Sequence, residues 1–253
     1  MSLPRFYIEP DAWNPGAPVL DGAEAHHCID VMRLRQGDGL IVFDGRGHEI
    51  QGTIAEARRE QVVVAPRLSG STPPLPTTLT LVQAIPKGKN MDLIVQKATE
   101  LGVDHIVPVV SQRTVVRIDP DEAARKQAKW QRVAIEASKQ CGQNWLPAVH
   151  PPRPLEQALQ QLDSHDLKLI AALESDARPL REMFPGRGGD EADAAARPAS
   201  ALICIGPEGD FTPAEANAAR ALGCQPVSLG PIILRTETAA IYCLAVLNHE
   251  LRG

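Results

Sequence analysis

Two glycine-bearing loops hold the residues best suited to chemistry. The first is Ile205-Gly-Pro-Glu-Gly-Asp-Phe211, which joins an apolar run to a helix-start signature. Ligands of α/β sheets bind at the carboxyl ends of strands, and glycines let the backbone approach a ligand closely. The loop matches neither G-x-G-x-x-G nor G-x-x-x-x-G-K-[ST], and Glu208 and Asp210 would repel phosphate. It suits a nucleoside-like ligand without phosphate, and it reads equally well as a tight strand-to-helix turn. The second is Ser228-Leu-Gly-Pro-Ile-Ile-Leu-Arg-Thr-Glu-Thr-Ala-Ala240. Gly230-Pro231 forces a turn, an apolar stretch follows, and Arg235 and Glu237 begin the last helix. By spacing alone, Arg235 and Glu237 read as a structural ion pair. No metal is expected, because the seven His do not gather with Cys or carboxylates at ligand spacing.

These loops need elements to hold them, and after residue 76 strands and helices alternate. Residues 78–82, 105–110, 167–173, 201–205 and 227–229 read as strands, several of them apolar on both faces as in a parallel sheet. Met91, Ile94, Val95, Ala98 and Leu101 share one helical face that ends at Gly102. A long helix over residues 120–140 turns Ala123, Trp130, Val133, Ala134 and Ala137 inward. Thr212-Pro-Ala-Glu215 combines a capping residue, a proline at the first helical position and a capping box. Residues 236–251 make the final helix, and residues 185–200, rich in Gly, Ala, Asp and Pro, read as a flexible surface loop.

Before residue 69 the pattern is β. An apolar run at 40–43, the turn Asp44-Gly-Arg-Gly47, an alternating stretch at 48–54 and another strand at 61–65 suggest a small barrel. One helical piece over residues 22–34 interrupts it. Ser69-Gly-Ser-Thr-Pro-Pro-Leu-Pro76 is a breaker-rich linker. Two domains are therefore expected, 1–72 and 77–253.

Composition narrows the function. Net charge is −5, which excludes a general nucleic-acid coat protein. Residues 77–150, however, carry 10 Lys+Arg against 7 Asp+Glu, so a local basic surface belongs to the middle third. Aromatics make up only 4% of the chain, which argues against stacked bases as the main means of holding nucleic acid. The five Cys include no C-x-x-C pair and sit mostly among apolar neighbours, as expected in a reducing compartment. With no signal pattern at Met1 and no long apolar run, a cytoplasmic chain without a membrane span is expected.

GPEG-x-F followed by SLG-x-x-ILRTETAA closely resembles the RsmE-type 16S ribosomal RNA uracil-N3 methyltransferases of the SPOUT superfamily. The resemblance covers nearly the whole chain. Pro4-Arg-Phe-Tyr7, His26-His27, Val31-Met-Arg-Leu-Arg35, Gly37-Asp38 and Phe43-Asp-Gly-Arg-Gly47 resemble the family's PUA-like RNA-binding domain. Lys87, Gln96-Lys-Ala-Thr-Glu-Leu-Gly102, Pro108 and Glu136-Ala-Ser-Lys-Gln140 match its middle section. The resemblance implies an α/β fold: a SPOUT-type, trefoil-knotted parallel sheet domain with a small N-terminal β-barrel, paired as a homodimer. Such knots are exceptions to the usual rule for chain connections.

It implies S-adenosylmethionine as cofactor, held by Leu173 and Glu174, by Gly206, Pro207, Glu208 and Gly209, and by Ser228, Leu229, Gly230, Ile233 and Leu234 with Thr238 and Ala239. It implies small-subunit 16S ribosomal RNA as partner, with Arg5, His26, Arg33, Lys87, Lys89 and Lys97 as candidate RNA contacts and Arg235 and Glu237 as catalytic candidates. Arg235 would stabilise charge on the base or hold phosphate, and Glu237 would orient Arg235 or act as base. Two departures stand out. Asp210 replaces a glycine common in the family, and Gln143, Asn144 and Trp145 stand where an arginine is usual. Another SPOUT methyltransferase, acting on a ribose 2′-hydroxyl or on tRNA, and a silent ribosome-assembly binder are the competing readings.

Overall fold

The computed structural model describes residues 3–114, 119–162, 164–184 and 197–253. Most of the glycine-rich stretch at 185–200 lies outside them. The chain divides into two compact units, one running to Pro74 and joined by Ile135–Leu146, the other made of Leu75–Ala134 and Pro147–Gly253.

In the first unit, β1 (Arg5–Tyr7), β2 (Val19–Asp21), β3 (Gly39–Phe43), β4 (His48–Arg58) and β5 (Gln61–Ser71) form a sheet in the order β1-β3-β4-β5-β2. It is a curled half-barrel rather than the small barrel expected, with β1 and β2 at its two edges. Register shifts between β4 and β5 at Gln51/Gly52 and Ile54/Glu56 mark bulges that raise local twist. Gly52 allows the first, since a Cβ there would lie 2.4 Å from the Ala65 carbonyl oxygen. Phe6, Leu20, Leu40, Val42, Ile50, Ile54, Val62 and Val64 fill the concave side, with Ala25 and Cys28 packed on them.

Two expectations are corrected here. The helix expected over 22–34 is α-helical only through α1 (Gly22–His26) and continues as a π-helical turn over His27–Val31. The Met32 N–H bonds the His27 carbonyl and the Leu34 N–H bonds that of Cys28, so the ladder widens and stops. Ser69 and Ser71, placed in the linker by their composition, are strand residues paired with Ile50 and His48.

In the second unit the remaining strands are β6 (Thr78–Ala84), β7 (His105–Val110), β8 (Ala148–Val149), β9 (Arg153–Pro154), β10 (Leu167–Ala171), β11 (Arg178–Pro179), β12 (Ser200–Ile205) and β13 (Gln225–Ser228). The helices are α2 (Asn90–Glu100), α3 (Pro120–Cys141), whose residues from Ile135 on belong to the first unit, α4 (Leu155–Gln161), α5 (Pro213–Ala221) and α6 (Thr236–Arg252). The strands pair in parallel in the order β11-β13-β10-β12-β6-β7-β8, with β9 also on β7. β6 and β12 are buried on both faces because helices cover both. Val82, Val107, Ile170, Leu202 and Cys204 pack with Leu155 and Leu159 of α4 and Ala219 of α5. The chain passes from β12 through α5 to β13, beyond β10, then returns so that α6 packs on β12, β6 and α2.

Candidate active site

Three loops leave the carboxyl ends of β10, β12 and β13 and enclose a cavity of about 530 Å3. Ala172, Leu173 and Glu174 come from the first, Gly206, Pro207, Glu208 and Asp210 from the second, and residues 229–235 from the third, closed by Thr236 and Ala239 of α6. The volume suits a small organic ligand.

Each loop is held by contacts far apart in sequence. Thr236 is buried; its hydroxyl donates to the Gly206 carbonyl (2.8 Å) and accepts from Nε2 of Gln83 on β6 (3.0 Å). At Gly206, a Cβ would meet Asp210 Oδ1 at 3.0 Å and the Phe211 nitrogen at 3.2 Å, so the loop closes only around glycine. Glu208 Oε1 accepts from the Lys87 N–H (2.9 Å), and Arg113 donates to the Gly209 carbonyl. Arg220 of α5 donates twice to Asp176 (2.8 and 2.9 Å) and also binds Glu174, which fixes the loop after β10. The Arg220 guanidinium hydrogen-bonded to Asp176 holds that carboxyl below its ordinary range.

Asp210 is held in the left-handed region (φ 59°). Its Oδ1 accepts from the Phe211 N–H (2.8 Å) and its Oδ2 from the Leu173 N–H (3.3 Å), tying the second loop to the first.

Of the residues expected to hold a cofactor, Leu173, Glu174, Gly206, Pro207, Glu208, Ser228, Leu229, Gly230, Ile233, Leu234 and Ala239 line this cavity, whereas Gly209 and Thr238 do not. Arg235 lines it too; Glu237 does not. The Arg235–Glu237 ion pair suggested by spacing is not formed, and among the described residues Arg235 has no side-chain partner. Lys87 and Lys89 are exposed on the loop after β6, and Lys97 is bonded to Glu100 (2.9 Å).

In the first unit Arg33 is exposed at φ 57° and His26 pairs with Asp30 (2.6 Å). Arg5 is spent inside that unit, bonded to Glu49 (3.0 Å) and Asn144 and stacked over Phe43, with its side chain only 11% exposed. Asn144 and Trp145 are likewise structural, both bonding Thr72. Among the described residues, Glu24, His27 and Glu136 converge as metal ligands would, but the Lys139 ammonium bonds all three at 2.9–3.0 Å. Gln83, Arg113, Asp176, Arg220 and Thr236 carried no signal in the sequence, since their partners lie 30 to 153 residues away.

The fit of the cavity to a ligand class follows from charge. Glu174 is neutralised by Arg220, but Glu208 and Asp210 accept only backbone N–H groups and have no cationic partner among the described residues. Two carboxylates without a cationic partner among the described residues make that part of the wall suited to a group carrying positive charge.

Comparison with known proteins gives concordant results. A family model described as an RNA methyltransferase domain matches residues 73–248, and one described as an RNA methyltransferase PUA domain matches residues 20–66. The ribosomal RNA small subunit methyltransferase E of Bacillus subtilis is 31% identical over 99% of both chains. A methyltransferase from Legionella pneumophila, solved with its cofactor S-adenosylmethionine bound, superposes with a TM-score of 0.87 at 33% identity over 98% of each chain. The small subunit methyltransferase E of Neisseria gonorrhoeae, bound to S-adenosylmethionine, gives 0.83 at 31% identity with the same coverage.

Proposed function

The chain belongs to the ribosomal RNA small subunit methyltransferase E family, and from that premise we propose that it transfers the methyl group of S-adenosylmethionine to N3 of a uridine in 16S ribosomal RNA of the small subunit. The observation that carries this reading is the cavity enclosed by three strand-end loops, with the carboxylates of Glu208 and Asp210 on its wall and an arginine that has no side-chain partner among the described residues.

The cavity fits this cofactor, which is a nucleoside with a sulfonium charge and no phosphate. Its glycine-rich walls would hold the nucleoside through backbone groups, as the three loops already approach one another closely. When bound, the cofactor supplies an electrophilic methyl group. The protein supplies position and charge. Uracil N3 lies on the Watson–Crick edge, so the target nucleotide must leave its pairing to enter the cavity. Loss of the N3 proton spreads negative charge over the uracil carbonyl oxygens. Arg235, held by backbone at the start of α6 with no side-chain partner among the described residues, is placed to meet that charge. Glu237, in the first turn of the same helix and half-buried, is the candidate base. Lys87, Lys89, Lys97, Arg33 and His26 would position RNA through its phosphates without reading sequence.

Leu173, Ile232 and Ile233 line the cavity yet are 66%, 74% and 76% exposed, and Tyr242 of α6 is 43% exposed. A second copy of the chain is proposed to cover them, which makes the working form a homodimer; Ile232→Glu should yield monomer in sedimentation.

The test is methyl transfer from labelled S-adenosylmethionine to small ribosomal subunits lacking the modification, followed by nucleoside analysis. 3-Methyluridine is the expected product. A 2′-O-methyl product, or label only in tRNA, would replace the uracil assignment, and absence of both transfer and cofactor binding would favour an assembly factor.

A further inference from the structure

Asp210 occupies the left-handed backbone region, which glycine adopts freely and which Asn and Asp enter as single residues at some energetic cost. Its carboxylate offsets part of that cost by joining two loops through the Phe211 and Leu173 N–H groups. A neutral acceptor could make such bonds, so the strap by itself does not explain a charge on the cavity wall. The other carboxylates of this region differ in setting. Glu174 and Asp176 are neutralised by Arg220, and Glu208 is exposed, where water screens it. Asp210 is half-buried, fixed from two sides, without a cationic partner among the described residues, and on the cavity wall. Arg235 lines the same cavity, and no bond joins it to Asp210.

We propose that Asp210 is a specificity-determining residue that makes this cavity prefer the positively charged methyl donor over its neutral thioether product. The inference rests on the cavity being the S-adenosylmethionine site. The two ligands share adenosine and the amino acid and differ by one methyl group and one positive charge. A fixed, half-buried carboxylate therefore acts on one and barely on the other. The consequence is directional: once the methyl group has left, the attraction that held the donor is gone, and the product leaves more readily.

The experiment is titration calorimetry of the full-length protein with S-adenosylmethionine and with S-adenosylhomocysteine, for wild type, Asp210→Asn and Asp210→Gly, with melting curves to show that each variant is folded. Loosening the strap weakens both ligands by a common factor, so the ratio of the two Kd values isolates the charge. That ratio is expected to fall by about threefold to tenfold in both variants, and in wild type to shrink as salt is raised. The control Glu182→Gln, an exposed carboxylate outside the cavity lining, should move it little. An unchanged ratio in folded variants, with both ligands weakened alike, reduces Asp210 to a strap and overturns the proposal while leaving the cofactor site standing. Binding of neither ligand by wild type overturns the cofactor site itself, and the proposal with it. Should both variants fail to fold, the salt series on wild type decides, and a ratio insensitive to salt counts against the charge.

Discussion

Among the described residues no side chain claims Arg235, and that separates two side chains the sequence placed side by side. Arg235 lines the cavity, while Glu237 is not among the lining residues and forms no bond with Arg235. Arg235→Ala should lower methyl transfer by about 10²-fold or more, the scale of losing one preorganised charge-stabilising donor, while the calorimetric Kd for S-adenosylmethionine stays near wild type. Wild-type turnover in that variant would remove Arg235 from the chemistry. Thr236 beside it has a structural duty instead. Its hydroxyl links buried Gln83 to the Gly206 carbonyl, so Thr236→Val leaves buried polar groups unpaired. A loss of about 1–3 kcal/mol in denaturant unfolding is expected, together with weaker cofactor binding. Arg235 was legible in the sequence because an exposed charge after an apolar turn stands out. Thr236 was not, because its partners come from β6 and from the end of β12.

At the scale of elements, local chemistry was readable and long-range reuse of it was not. Thr212-Pro-Ala-Glu215 announced the start of α5, and the capping box is present, with Glu215 Oε2 accepting from the Thr212 N–H (2.9 Å). The sequence did not show that Glu215 is buried and that its other oxygen accepts from the Gln112 N–H (2.7 Å), in the loop after β7 that also carries Arg113. The cap thus doubles as a staple between two loops at the strand ends. Thr212→Ala should cost about 1 kcal/mol, the ordinary value of a lost cap. Glu215→Ala should cost more, because it also strands a backbone donor from another element. Equal losses in chemical denaturation would show that the staple contributes nothing. The same limit explains the first unit: alternation gave β4 and β5 their positions, but the bulges that curl the sheet depend on how the two strands register, as does the pairing of Ser69 and Ser71.

For the whole molecule, the strand order is the least local feature, since no periodicity records which strand is laid beside which. Stability against acid is a global property of the same kind, assembled from groups distant in sequence. His105 at the start of β7 and His150 just after β8 meet at 3.3 Å in the second unit. Both are held below the ordinary histidine range. Burial is the main cause in each; His165 adds to it at His105, His105 and Arg153 add to it at His150, and Asp104 opposes it at His105. A folded value below the unfolded one means that the unfolded chain binds more protons as pH drops. The stabilisation is therefore complete above about pH 6.5, the ordinary histidine value, and is lost progressively as pH falls below it. The unfolding midpoint of the second unit should decline between neutral pH and about pH 5, and His150→Gln should flatten that decline by removing one of the two protonation sites and relieving the other. A variant whose acid slope matches wild type would show that the pair carries no proton linkage and that the loss belongs to the carboxylates, whose own titration lies lower, near pH 4.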